Sequence, residues 1–235
     1  MDRRIRPIAH AWPVILIALC WLSAIPAHSP AEDGHQHRRP DDIKQYLEHL
    51  DSTERDRYQK PGQVVETLGL KPGMAVADLG SGSGYFTRRF AQAVTESSIV
   101  YAVDVEPEML AYVKDSLIHL HAPYTAEFIL ARPDNPKLPV ESVDLIFLCN
   151  VFHHLEDRTT YFRNIRSALK PGGRIAIIDF YHDERSGDLG FPKHHLVPRE
   201  TVLQEVSAAG YRLTREHTFL PRQYFLEFVP QPVTP

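Results

Sequence analysis

Cysteine is nearly absent from the 235-residue chain, which has only Cys20 and Cys149. Cys20 lies in an apolar segment near the N-terminus and would leave with that segment on cleavage. A disulfide framework is therefore excluded, and stability has to come from a hydrophobic core. Cys149 follows the run Val143-Asp144-Leu145-Ile146-Phe147-Leu148 and reads as a small buried apolar residue rather than a nucleophile. An excess of basic residues is also missing. The formal net charge is −4, which counts against nucleic acid as a partner because phosphate binding needs a basic surface. No internal repeat is present, which excludes solenoid and propeller architectures. No uninterrupted apolar run reaches the roughly 20 residues that a spanning helix needs.

The longest apolar run, 11–25, is short and carries Pro13. Arg3, Arg4 and Arg6 precede it, and Ala24, Ala27, Ser29 and Ala31 follow. A basic start, a short apolar centre and a small-residue end describe a signal peptide or membrane anchor over residues 1–31. The expectation is an exported, periplasmic or extracellular, or membrane-anchored protein whose membrane contact is limited to this segment. A misread start would make it cytoplasmic. Residues 32–40 are polar and His-rich and read as a linker. His35 and His37, like His194 and His195 further on, lack a third ligand at metal-site spacing, so no metal site is expected. Residues 41–235 are sufficient for one domain, with a helical cap at about 41–70.

Beyond the cap the pattern alternates. Apolar runs of strand length occupy 74–79, 99–103, 126–130, 143–149 and 174–180, with helical periodicity over 85–94, 107–120, 157–169 and 198–209. Two last strands, 211–219 and 223–229, are joined too tightly for a crossover helix and must pair antiparallel. The expected fold is α/β: a doubly wound, mostly parallel seven-stranded sheet with an antiparallel C-terminal strand.

The first strand runs into Asp78-Leu79-Gly80-Ser81-Gly82-Ser83-Gly84-Tyr85-Phe86. Glycines at 80, 82 and 84 let the backbone turn sharply and approach a ligand, so a ligand belongs at the carboxyl end of this strand. Asp78, two residues before the first glycine, is unwelcome beside a diphosphate but suits a ligand with an ammonium and a sulfonium. The spacing G-x-G-x-G also departs from the dinucleotide pattern. Asp104 ends the second strand, where a carboxylate can accept ribose hydroxyls.

Taken with Val103-Asp104-Val105-Glu106, Arg132-Pro133-Asp134, Val151-Phe152-His153-His154-Leu155 and Lys170-Pro171-Gly172-Gly173, these segments resemble the class I S-adenosylmethionine-dependent methyltransferases. The resemblance covers roughly 58–229 and is nearest to small-molecule enzymes related to the quinone pathway. It implies S-adenosyl-L-methionine as cofactor and an unidentified, small-molecule methyl acceptor. It further implies cofactor contacts from Asp78, Gly80, Ser81, Gly82, Gly84, Tyr85, Phe86, Asp104, Val105, Met109, Asp134 and Asn150. Within that frame Asp104 would hold the ribose, Val105 the adenine and Asp134 the adenine amino group.

The methyl group arrives already activated, so the protein must align a nucleophile and exclude water. Where the nucleophile is protonated, His153 and His154 are the candidate bases, since they follow the fourth strand and histidine titrates near neutrality. Tyr58, Tyr181 and His182 are candidate substrate contacts, and Asp179 beside them is a further one. Two alternatives stand: a cofactor-binding protein without turnover, and a nicotinamide oxidoreductase, against which Asp78 and the glycine spacing count.

Overall fold

The computed structural model describes residues 42–94, 97–118, 120, 124–189 and 193–232. The expected signal or anchor (1–31) and the linker (32–40) lie outside the described residues.

Seven strands form one sheet: β1 (Ala75–Leu79), β2 (Ser98–Asp104), β3 (Tyr124–Leu130), β4 (Val143–Cys149), β5 (Leu169–Phe180), β6 (Tyr211–His217) and β7 (Gln223–Pro230). Their order is β3-β2-β1-β4-β5-β7-β6. Strands β1 to β5 pair parallel, and β7 runs antiparallel to both β5 and β6. The expected sheet is the one observed. Its order reverses between β1 and β4, and in open α/β sheets ligands bind beyond the carboxyl ends of the strands at such a point.

Helices cover both faces. The cap comprises α1 (Ile43–Leu50), α2 (Glu54–Gln59) and α3 (Pro61–Leu68); α4 (Tyr85–Ala93), α5 (Pro107–Ile118), α6 (Arg158–Ile165) and α7 (Arg199–Ala208) follow. Asp42 caps α1 by accepting from the Gln45 N–H at 3.0 Å, and Asp157 caps α6 by accepting from Thr160 at 3.2 Å. Among the described residues, no helix is long and apolar enough to cross a membrane.

Strand periodicity divides the core in two. Ala75, Ala77 and Leu79 point to one face, with Phe162, Ile165, Val202 and Val206 from α6 and α7. Val76 points to the other, with Phe86, Phe90, Val113 and Leu117 from α4 and α5. Asp78 shares the face of Val76, which decides where its carboxylate can go.

Within the cap, the charged stretch 51–60 contains helix α2, whose Gln59 is fully buried. One local expectation is corrected. The helix expected over 157–169 is shorter, and β5 begins at Leu169 rather than at 174. Leu169 pairs with Val143, and pairing resumes at Arg174 opposite Leu145. The intervening Lys170-Pro171-Gly172-Gly173 bulges out, with Gly172 at φ +81°. Asp144 fixes the bulge by accepting from Lys170 Nζ and from the Ala75 N–H, each at 2.7 Å.

Phe147, at the centre of β4, is fully buried and lies with ring centroids 4.7 Å from Phe86 and 5.0 Å from Phe90. Phe147→Ala is expected to destabilise the domain by about 3–5 kcal/mol. Urea unfolding checks this, with a lower midpoint and an unchanged slope as the expected outcome.

Candidate active site

The ends of the parallel strands are stitched together by backbone hydrogen bonds that continue past the strands themselves. Gly80 and Ser81 N–H both donate to the Val103 carbonyl, at 2.8 and 3.0 Å. Ala131 N–H donates to Asp104 O at 2.8 Å, and Asn150 N–H to Ile178 O at 2.9 Å. These bonds bring the segments after β1, β2, β3 and β4 around one cavity of about 960 Å³.

The bend after β1 forms its floor. Gly80 has φ +67°, and an added Cβ would overlap Val151 Cγ2. Gly82 has φ +52°, and its missing Cβ would stand 3.1 Å from Leu50 Cδ1. Both positions need glycine for conformation and for close approach. Asp104 holds the bend from the side: its carboxylate accepts from the Gly82 N–H at 2.8 Å and the Glu106 N–H at 3.0 Å. The carboxylate lines the cavity. The buried Ser81 Oγ, on the same wall, has no hydrogen-bond partner among the described residues.

Asp78 behaves differently. Lying on the α4 face of β1, it accepts from Thr87 Oγ1 at 2.6 Å and does not line the cavity. Burial pushes its carboxyl up to about 7, against the hydrogen bond from Thr87, which pulls it down.

The cap closes the cavity from above through Tyr46, His49, Leu50, Arg55 and Tyr58. It is fastened at three places. Asp51 accepts from Ser83 Oγ at 2.7 Å, Arg88 at 2.6 Å and the Tyr112 hydroxyl at 2.9 Å. Asp56 accepts from the Tyr85 hydroxyl and from Arg89. A buried amide chain runs from Gln59 Nε2 to Gln223 Oε1 at 2.9 Å, and from Gln223 Nε2 to Asn150 Oδ1 at 2.6 Å. Asn150 itself turns the chain out of β4 with φ +59°.

On the β4–β5 side, His153 Nδ1 lies 2.9 Å from both carboxylate oxygens of Asp179, and its backbone N–H bonds the same group at 3.2 Å. Asp179 is fully buried and His153 nearly so, yet the ring lines the cavity. Burial pulls the imidazole pKa down, but the charge of Asp179 and its hydrogen bond outweigh it, leaving the value raised. His154 packs beside it with ring centroids 4.1 Å apart. Burial pushes the Cys149 thiol up to about 12, so it stays protonated in the wall.

Of the residues expected from sequence, Gly80, Ser81, Gly82, Asp104, Val105, Met109 and Asn150 meet His153, His154 and Tyr58 around the cavity. Asp78, Gly84, Tyr85, Phe86, Asp134, Tyr181 and His182 are not among its lining residues. Tyr85 ties down the cap, and Phe86 packs in the core against Phe90 and Phe147. Asp134 is exposed and paired with Arg132 at 2.9 Å. Tyr181 packs edge-on to Tyr224 with Arg185 over its ring, and His182 is exposed. Sequence reasoning missed the cap's His49 and Arg55, the Arg222 of the turn before β7, and the partnership of Asp179 with His153. Asp179 was legible as a polar residue inside an apolar strand, where burial demands a partner.

Comparison with known proteins agrees with this geometry. Residues 77–177 match the family model described as a methyltransferase domain. The chain is 27% identical over 156 residues to the ubiquinone/menaquinone biosynthesis C-methyltransferase UbiE of Vibrio vulnificus, a match covering 65% of this chain and 60% of that protein. UbiE of Escherichia coli is 25% identical over 156 residues, covering 65% of this chain and 62% of its own length. The chain thus spans about 60% of the length of the curated relatives it matches. Among solved structures, a SAM-dependent methyltransferase from Aquifex aeolicus superposes with a TM-score of 0.73 at 28% identity, covering 80% of this chain and 98% of that one. A type 11 methyltransferase structure from Sulfolobus solfataricus, at 20% identity and a TM-score of 0.58 over 74% of this chain and 93% of that one, shares the fold. With its glycine bend and its strand-end carboxylate, the chain carries a methyltransferase domain over residues 77–177 and is similar to S-adenosylmethionine-dependent methyltransferases.

Proposed function

We propose that the chain transfers a methyl group from S-adenosylmethionine to a small-molecule acceptor held in the cavity under the cap. The observation that carries the reading is the glycine bend pinned by Asp104, facing the same cavity as the His153–Asp179 pair. The residues present fit the cofactor. Ser81 Oγ is a buried polar atom without a partner among the described residues, the Asp104 carboxylate lines the cavity as an acceptor suited to sugar hydroxyls, and the missing Cβ atoms of Gly80 and Gly82 allow close approach. Val105 and Met109 supply an apolar wall for a flat base. When bound, the cofactor supplies an electrophilic methyl group on a sulfonium.

The chain's own work is alignment, exclusion of water and proton removal. Alignment of two reactants can lower a barrier by roughly 7–11 kcal/mol. The cap, held at Asp51, Asp56 and Gln59, closes over the cavity and limits bulk water. An acceptor whose nucleophilic atom carries a proton gives it to His153. With Nδ1–H donating to Asp179, the basic nitrogen is Nε2. The pair of electrons left on the acceptor would form the new bond to the methyl carbon as the carbon–sulfur bond breaks with its electrons staying on sulfur, S-adenosylhomocysteine being the leaving group, and Asp179 stabilises the resulting imidazolium.

Uptake of S-adenosylhomocysteine by calorimetry, followed by transfer of a tritiated methyl group across a panel of phenols, amines and thiols, tests the reading. Absence of nucleoside uptake by folded protein would end it. With an acceptor in hand, His153→Asn is expected to lower kcat about 10²–10⁴-fold and to leave S-adenosylhomocysteine affinity within about twofold of wild type. In Asp179→Asn the loss of the neighbouring charge lowers the imidazole pKa, so the acid limb of the kcat profile moves to lower pH.

Asp78 generates a separate expectation. Its native pKa, about 7, stands above the ordinary 3.8. Native protein therefore keeps a proton that the unfolded chain sheds, and ligand-free stability is lost as pH rises from about 4 through about 7. Asp78→Asn, which still accepts from Thr87, removes this loss. The stability of the variant relative to wild type is expected to grow over that window and to level off above it, read from melting temperatures at pH 5 to 8.

A further inference from the structure

The cavity wall divides by chain segment. Residues 79–83, 103–106, 109 and 131–133, from the ends of β1, β2 and β3, form the part that holds the glycine bend and Asp104. The opposite part, beyond β4, β5 and the start of β7, includes His153, Leu155, Phe180, Leu189 and Arg222, with Tyr58 of the cap above.

Arg222 is the unusual member. Its Nε–H donates to Ser186 O at 2.5 Å and its Nη2 to Asp188 O at 2.7 Å, so the loop after β5 wraps the guanidinium. Gly187 makes the wrap possible: its φ is +70°, and an added Cβ would stand 2.7 Å from Nη2. The guanidinium lies 4.9 Å from the ring of Tyr58. Two of its five N–H donors are used on neutral carbonyls. Elsewhere in the fold Arg88, Arg158, Arg174 and Arg199 each meet a carboxylate, while Arg55 of the cap, which also lines the cavity, has Nε on Gln59 Oε1, Nη1 on Leu50 O and Nη2 facing Cys149 Sγ. Among the described residues Arg222 forms no such ion pair, although it is half-buried and lines the cavity. A rigidly held guanidinium with donors left over is a site for a planar anion, which it can grip through two parallel hydrogen bonds.

We propose that Arg222 is the acceptor's anion subsite, so that the methyl acceptor is a small carboxylate-bearing molecule with a flat apolar body. Tyr58 and Phe180, with ring centroids 5.7 Å apart, supply the surface for that body. The carboxylate on Arg222 sets which atom is turned toward His153. This inference rests on the methyl-transfer reading.

The test is calorimetry on the full chain saturated with S-adenosylhomocysteine, titrated with acid and ester pairs: 3,4-dihydroxybenzoate, salicylate, cinnamate and indole-3-acetate, each against its methyl ester. At least one acid is expected to bind about tenfold or more tighter than its ester, a margin typical of one charge-assisted contact. Arg222→Gln is expected to abolish that preference while S-adenosylhomocysteine affinity stays within about twofold of wild type. If no acid outbinds its ester in the wild type, or if the preference survives in Arg222→Gln, the subsite is refuted. The wild-type comparison stands alone if the variant fails to fold. Failure to take up S-adenosylhomocysteine at all would instead sink the methyl-transfer reading, so the two failures are separate.

Discussion

The site depends on one backbone carbonyl. Val103 O, at the end of β2, accepts both the Gly80 and the Ser81 N–H, which bends the chain leaving β1 sideways over its neighbour. The next N–H, of Gly82, is taken by the side chain of Asp104, the residue that follows Val103. Three successive amides thus point toward β2, which an ordinary L residue at Gly80 or Gly82 would resist on conformational grounds. Because the bend is secured by the sheet itself, the floor of the cavity is preorganised, and binding has little backbone ordering left to accomplish.

Four buried acids illustrate how surroundings assign roles to one chemical group. Asp104 takes two backbone amides and still faces the cavity. Asp78, one strand away, is turned by strand alternation toward α4, where Thr87 partners it and burial raises its carboxyl to about 7. Asp179 takes His153 and the Phe180 N–H at 2.8 Å, and holds the imidazole in one orientation. Glu227, 1% exposed on β7, meets Arg174 and His217, each at 2.8 Å, away from the cavity. Depth of burial alone does not separate these; the donors that face each oxygen do.

Most of the fold was legible because its strands are short apolar runs and its helices carry apolar stripes, patterns that depend only on near neighbours in sequence. The glycine bend was legible for the same reason, since 80, 82 and 84 act locally. What could not be read is built from long-range pairs. His153 and Asp179 are 26 residues apart, and Gln59 and Gln223 are 164 apart. No periodicity announces that such residues will meet. Asp78 shows a subtler gap: its position beside the bend was clear, but its side chain follows the alternation of β1 toward the face of Val76 and away from the cavity. The bulge at 170–173 hid the true start of β5 because Pro171, Gly172 and Gly173 read as a turn, and only the pairing of Leu169 with Val143 reveals the strand.

The reversed direction of β7 has a consequence for how such a site can diversify. An antiparallel strand presents its beginning, not its end, at the edge where β1 to β5 finish, so the short turn before Gln223 enters the cavity wall. That turn is separated in sequence from the segments that shape the glycine bend. Mutational drift in the turn and in the loop around Ser186 can therefore redraw one side of the chamber while the other side stays untouched, which makes this hairpin a natural lever for directed evolution.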